Sequence, residues 1–471
     1  MKKSQLIRIL QTFDKKEVRE LRKWVNSPAH NLRQDVVDLF EYLFSGNHLY
    51  SESCLQKEKV FEAIYPSKTF SDAELRQTIH FLLKVVEEFL VYNEFQQDQV
   101  RAQILLAKAY RQRQLPMLFH KSLNTGRELQ ERYPYRNHHH FENEYLLQFE
   151  QYTYLSGLGR DVPLNLQEVS DANDVAYLSN KFRLGCVMLS HQAVFKSEYD
   201  LNLLDNLLNY VENNSKYLEF PAISIYYFSY KAITEKQNTQ YFEKLKELIL
   251  QHGHFFSPDE IRVIYLLAIN YCIGQINAGK NSFFRESFEL YIDGLKKNIF
   301  LENGILSRFT FGNVIRIALN LQEFDWVENY IKEFTPLLDE KYRDNYERFY
   351  TARLHFERKN YKVAMQLFAR FESDDILMSL HAKTMLIKMY YELDEFIALD
   401  SLIESMRTFL QRKKIMGYHR SIYINLITLT KKILRVRPGD KEKINRIKEE
   451  IANTEPLMER KWLLEQLEKL A

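Results

Sequence analysis

Tyr361, Ala364 and Phe368 are spaced as the apolar seam of one helix, and the same spacing returns as Phe396, Leu399 and Ile403, 35 residues further on. Each seam is preceded by a second amphipathic segment, so residues 343–406 read as two copies of one helix pair. A single helix-turn-helix unit cannot bury its own apolar face. A copied unit must stack on its neighbour, and that requirement predicts an array of helical hairpins. Followed backwards, the spacing gives Phe324, Val327 and Ile331, then Phe284, Ser287 and Tyr291, then Phe242, Leu245 and Ile249, at intervals of 37, 40 and 42.

Composition supports helices and little else. The 471 residues include only 13 Gly and 10 Pro, well under half the roughly 12% that average usage would bring, which leaves little material for strand-connecting turns or linkers. Hydrophobic residues at 45%, with 30 Tyr and 32 Phe, supply ample core. The expected fold class is all-α. The length exceeds one compact core, so an elongated array or several domains are expected.

Residues 1–96 read as an N-terminal helical domain of about five helices. Asp14 with Glu17, and Ser71 with Glu74, have the capping-box spacing that satisfies free N–H groups at a helix start. Helices are expected over 97–115, over 116–132 with Pro116 in the first position, over 137–155, 171–195, 201–212 and 221–235. The last carries Tyr226, Tyr227, Phe228 and Tyr230, aromatic on more than one face, and is expected to be covered on both sides. Ser257, Pro258 and Glu260 form a further predicted cap. Two charged amphipathic helices, 441–452 and 455–470, follow Pro438-Gly439, and their seam of Leu463, Leu464, Leu467 and Leu470 is expected to cap the array.

The aromatic-x-x-small-x-x-x-bulky spacing on the second helix of each pair resembles the tetratricopeptide repeat, whose period is ~34 residues. The clearest unit covers residues 352–371, with Lys359-Asn360-Tyr361 at its turn and Ala364 where two helices must approach closely. Departures mark the array as degenerate. The small residue early in the first helix is Ala352 in one unit but Ile315 and Ile387 in its neighbours, and the closing proline is missing. The resemblance implies a helical-hairpin repeat array (a TPR-like α-α superhelix) over 97–436, with capping helices over 437–471, and implies an extended groove that binds another protein.

Motifs of catalysis and phosphate binding are missing: the sequence has no HExxH, GxSxG, Walker loop or calcium loop. Residues 157–163 are Gly-rich but lack phosphate-cradling spacing and read as a connector. His138, His139 and His140, with Glu142 and Glu144 one turn on, offer two ligands to a metal at most, where three or four are needed. No catalytic, cofactor or metal residue is expected, and no cofactor. The three cysteines lie far apart, without metal or disulfide spacing, and no apolar run reaches membrane-spanning length. A cytoplasmic location is expected, with no membrane partner and no small-molecule substrate.

Net charge is +2, yet residues 407–448 hold thirteen Lys or Arg against Asp440 and Glu442 alone. Arg407, Arg412, Lys413, Lys414, Arg420, Lys431, Lys432, Arg435 and Arg437 are the candidates for binding an anionic partner. The competing expectation is that acids of the preceding repeat, Glu392, Asp394, Glu395 and Asp400, pair with them. The sequence points to a non-enzymatic scaffold that binds another protein. A nucleic-acid-associated protein using 407–448 is the alternative, and an enzyme with a sparse site the second.

Overall fold

The computed structural model describes residues 1–195, 197–369, 371, 375–412 and 417–471, with only the backbone of 193, 194 and 417–419. Among these residues the protein is all-α: 23 α-helices, four short 3-10 turns and one minimal β-hairpin. Two compact units divide the chain, residues 1–188 with 198–226, and residues 189–197 with 227–471.

The first unit opens with α1 (Gln5–Leu10), α2 (Lys15–Val25), α3 (Gln34–Leu43), α4 (Lys57–Ile64) and α5 (Asp72–Gln97). Leu6, Leu21, Phe40, Phe61, Leu82 and Phe89 belong to one core that these five helices share. The predicted cap of α2 is complete. The Asp14 carboxylate accepts from the Lys16 and Glu17 amides at 2.6 and 2.8 Å, and the Glu17 carboxylate accepts from the Asp14 amide at 2.8 Å. Ser71 accepts from the Glu74 amide at 3.3 Å and starts α5. Next come α6 (Gln99–Gln112), α7 (Pro116–Arg132) and α8 (His138–Ser156), around a second core of Val100, Ile104, Ala107, Phe119, Leu123 and Leu147. After α9 (Leu166–Phe195) and α10 (Leu204–Asn213), α11 (Pro221–Thr234) buries six consecutive residues, 222–227, and so is covered all round as its aromatic pattern predicts. Five residues before the expected 171, α9 has already begun.

The second unit continues with α12 (Thr239–His252), α13 (Pro258–Asn277), α14 (Phe283–Lys296), α15 (Arg308–Asn320), α16 (Phe324–Phe334), α17 (Glu340–Glu357), α18 (Tyr361–Ala369), α19 (Ile376–Glu392) and α20 (Phe396–Arg412). Helices α13 and α14, α15 and α16, α17 and α18, and α19 and α20 pack as pairs, and α17 also touches both α15 and α19. Every pair turns on the same device. The chain leaves the first helix through a left-handed residue, Gly279, Gln322, Lys359 or Asp394, with φ of 87°, 61°, 61° and 59°. The next amide then reaches five residues back, Lys280 to the Gln275 carbonyl at 3.0 Å, Glu323 to Ala318 at 3.0 Å, Asn360 to His355 at 2.8 Å and Glu395 to Tyr390 at 2.9 Å. This is the Schellman closure, which satisfies the free carbonyls of a helix end. Gln114, between α6 and α7, repeats it in the first unit with φ of 57°.

The second and third residues of every seam are buried, from Leu245 and Ile249 to Leu399 and Ile403. The first is less protected along the chain, from Phe242 at 1% exposure to Phe396 at 46%. Two extra pieces lengthen the early intervals: α13 has 20 residues against 13 in α15, and β1 (Leu301–Glu302) pairs antiparallel with β2 (Ile305–Leu306) before α15 begins. The low Gly and Pro content predicts no such hairpin, although Asn303 and Gly304, both at positive φ, are the dipeptide that a two-residue hairpin turn favours.

Beyond α20, α21 (Gly417–Leu434), α22 (Lys441–Asn453) and α23 (Arg460–Glu468) bury Leu426, Leu429, Ile433, Ile447, Trp462 and Leu463 in one cluster, with Leu464 and Leu470 packed against it. The last helix is shorter than the 455–470 expected. Pro456 lacks an amide proton and biases Glu455 away from helical backbone, and Glu459 is left-handed at φ 55°. Ser257 was expected to cap α13, but its side chain makes no capping bond and Pro258 alone marks the start.

Candidate functional site

Superposing the hairpins on Phe324, Tyr361 and Phe396 and counting back eight residues lands on Arg316, Arg353 and Lys388. A cation thus occupies one position on α15, α17 and α19, the three first helices that touch in sequence. Seven residues before each cation stand Phe309, Tyr346 and His381, and between them Asn313, Tyr350 and Met385. Positions i, i+4 and i+7 share one helix face, so the three helices present an aromatic row and a cationic row side by side.

The cations are held differently. Arg316 is exposed and is braced by its own helix, its guanidinium donating to the Gly312 carbonyl at 3.2 Å and to Asn313 Oδ1 at 2.6 Å. No carboxylate among the described residues pairs with it. Arg353 keeps 20% of its side chain open, its Nε has no hydrogen-bond partner, and Glu357 lies 4.0 Å away. Burial draws this guanidinium below its ordinary value against the pull of Glu357. Lys388 is closed over, donating to the Glu459 carboxylate at 2.7 Å with its ammonium above the rings of Phe356 and Trp462. Glu459 reaches it from the left-handed residue before α23.

His381 reaches solvent, yet protein surrounds it closely enough that burial, with Arg353 and Arg316 nearby, pushes its imidazole down to about 4. At neutral pH this ring carries no charge. Tyr346 and Tyr350 are buried, and the Tyr350 hydroxyl would stand 2.1 Å from a β-carbon placed on Gly312, so only glycine admits this contact between α15 and α17. Phe309 remains 64% exposed, with the Arg308 guanidinium 4.8 Å from its ring centroid and 4.4 Å from that of Tyr342. Chemically, the face offers guanidinium forks, an apolar ring and a neutral imidazole. It suits carboxylates or phosphates attached to something apolar.

The conspicuous basic segment is arranged otherwise. Lys413 and Lys414 lie outside the described residues. Arg407 and Arg412 are exposed near the end of α20 and Arg420 near the start of α21, whereas Lys431, Lys432, Arg435 and Arg437 sit at and beyond the other end of α21. Helical rise separates Arg420 from Arg435 by roughly 20 Å along the axis. Lys431 pairs with Glu404, Lys432 with Glu450, and Arg407 with Glu404 at 3.6 Å. These are not the acids expected. Glu392 instead accepts from the Tyr361 hydroxyl at 2.5 Å and the Trp462 indole at 2.9 Å, which ties α18 and α23 to α19. Arg412, Arg420, Arg435 and Arg437 have no carboxylate partner among the described residues. Asp400, Lys431 and Arg435 line a cleft of about 330 Å³ with Phe396 and Leu434.

At the histidine triplet, His139 lies 4.0 Å from Glu142, and burial with nearby Arg136 pushes His140 down to about 4. Among the described residues no group of three or more His, Cys, Asp or Glu is placed to hold a metal ion. An apolar cleft of about 400 Å³ lies between α14 and α16, lined by Ile292, Leu295, Trp326, Tyr330, Phe334 and Leu337. No helix among the described residues is long and apolar enough to cross a membrane.

Compared with protein-family models, with curated proteins and with solved structures, the chain matches none. Its class is therefore defined by its own geometry, an all-α protein of stacked helix pairs bearing a row of cations on successive first helices.

Proposed function

We propose that the chain is a non-enzymatic scaffold, a degenerate TPR-like array whose first helices form a groove that holds a segment of another protein. The observation that carries this reading is the recurrence of Arg316, Arg353 and Lys388 at one position of three consecutive hairpins. Core packing does not ask for a cation there, since in each helix the residue before it, Ile315, Ala352 or Ile387, is the one fully buried. The common Schellman turns and the contacts among α15, α17 and α19 support the array, and the free thiols of Cys54, Cys186 and Cys272 agree with a cytoplasmic site of action.

Nucleic-acid binding through residues 407–448 is the second reading, favoured by Arg412, Arg420, Arg435 and Arg437, which have no carboxylate partner among the described residues. Their division between the two ends of α21 weighs against one continuous phosphate track. Affinity purification of the intact chain with and without nuclease separates the two. Recovery of the same protein partner after nuclease, lost with Arg316→Glu, is the expected result. Recovery abolished by nuclease, and unaffected by Arg316→Glu, would favour the second reading.

A further inference from the structure

We infer that the cationic row binds an extended acidic peptide segment, with carboxylates three residues apart seated on Arg316 and Arg353. The inference rests on the groove reading above and names the partner's chemistry. The chain itself supplies the first argument, because the third member of the row is already filled. Lys388 holds the carboxylate of Glu459 at 2.7 Å, delivered by the non-helical residue just before α23. The same position one hairpin earlier, Arg353, keeps 20% of its side chain open, its Nε enclosed by protein and its nearest carboxylate at 4.0 Å. One hairpin earlier again, Arg316 is exposed with no carboxylate partner among the described residues. Two of three equivalent positions thus stand ready for what the third accepts from within.

Spacing supplies the second argument. Packed helices lie about 8–10 Å apart, and a segment in polyproline-II conformation advances roughly 3.1 Å per residue with three residues per turn, so neighbouring cations meet side chains about three residues apart on one side of the segment. Such a segment with Asp or Glu at i and i+3 turns one carboxylate towards each guanidinium. Exposed Phe309, seven residues before Arg316 on the same face, offers an apolar contact to a side chain between them. A single-stranded nucleic acid is the poorer fit. It needs a run of open aromatic faces for successive bases, and between exposed Phe309 on α15 and exposed His381 on α19 the rings of α17, Tyr346 and Tyr350, are buried at 8% and 6% exposure.

The test is selection of a random 12-residue peptide library displayed on phage against the full-length chain, followed by titration of the winning peptides. The expected winners carry Asp or Glu three residues apart, bind at least tenfold more weakly to Arg316→Gln, recover with Arg316→Lys, and weaken as salt rises. Arg316 is the residue to change first because it is exposed and its loss spares the core. Arg353→Gln follows, with circular dichroism to confirm that it folds. Winners without acidic residues that still weaken with Phe309→Ala would overturn the acidic specificity and leave the groove reading standing. No enrichment, or winners indifferent to both Arg316→Gln and Phe309→Ala, would overturn both. Displacement of the winners from the chain by a 20-nucleotide oligothymidine would reassign the row to nucleic acid.

Discussion

Burial alone would raise the Asp35 carboxyl, yet Arg33, Tyr65 and Thr78 donate to it at 2.6, 2.5 and 3.0 Å, and the balance holds it at about 2. A folded value below the unfolded one means that the group adds stability above pH 4 and loses it as pH falls from 4 towards 2. The side chain is 16% exposed, so the contribution is about 2 kcal/mol. Asp35→Asn should flatten this part of the pH profile, read by urea unfolding at Trp24 in a chain whose other two tryptophans are replaced by Phe. An unchanged slope would contradict the assignment. In the second unit, Ala364 is fully buried on α18, the helix paired with α17. Ala364→Leu should overpack that contact and cost roughly 1–3 kcal/mol, seen as a lower thermal midpoint. No change in midpoint would mean that the repeat register is wrong.

Each hairpin pays for its turn with a left-handed residue, and outside Gly279 that residue carries a β-carbon. Left-handed backbone costs such a residue about 1 kcal/mol or more, so Gln322→Gly should stabilise the second unit by about 1 kcal/mol in urea unfolding. Lys359→Gly should gain less, because Lys359 also donates to the Tyr361 hydroxyl at 2.9 Å and lies 3.7 Å from Glu392. Equal gains would contradict this account. The same residues explain what could be read beforehand. Helix starts were legible where Asp14, Ser71, Pro116 and Pro258 mark them. The turn at Lys359 was legible, but those at Gln114, Gln322 and Asp394 were not, since these residues do not announce positive φ as Gly or Asn would. The seams were legible through the bulk of Tyr361 and Phe396. The cationic row was hidden because its members lie on the first helices, spread among unlike residues, whereas the dense run at 407–448 drew attention by linear spacing alone. Counting back eight residues from Phe324, Tyr361 and Phe396 is the signal that finds it.

At the scale of the molecule, a stacked array must end on a polar surface, and α22 with α23 supply it by covering Leu426, Leu429 and Ile433 of α21. Truncation after Arg437 should expose that face and cause self-association, measurable by light scattering. A monodisperse truncated chain of unchanged thermal midpoint would show that the cover is dispensable. Circular dichroism of the whole chain should be dominated by helix, as the 23 helices and the one minimal hairpin among the described residues require. The central claim is that partners meet the face of α15, α17 and α19 rather than the basic run beyond it. Its most direct measurement is site-specific photocrosslinking in cells, with a benzophenone amino acid placed either at Phe309 or at Arg420. The account predicts a protein adduct from position 309 that survives nuclease and disappears with Arg316→Glu, and none from position 420. A nucleic-acid adduct from position 420, with nothing captured at 309, would contradict it.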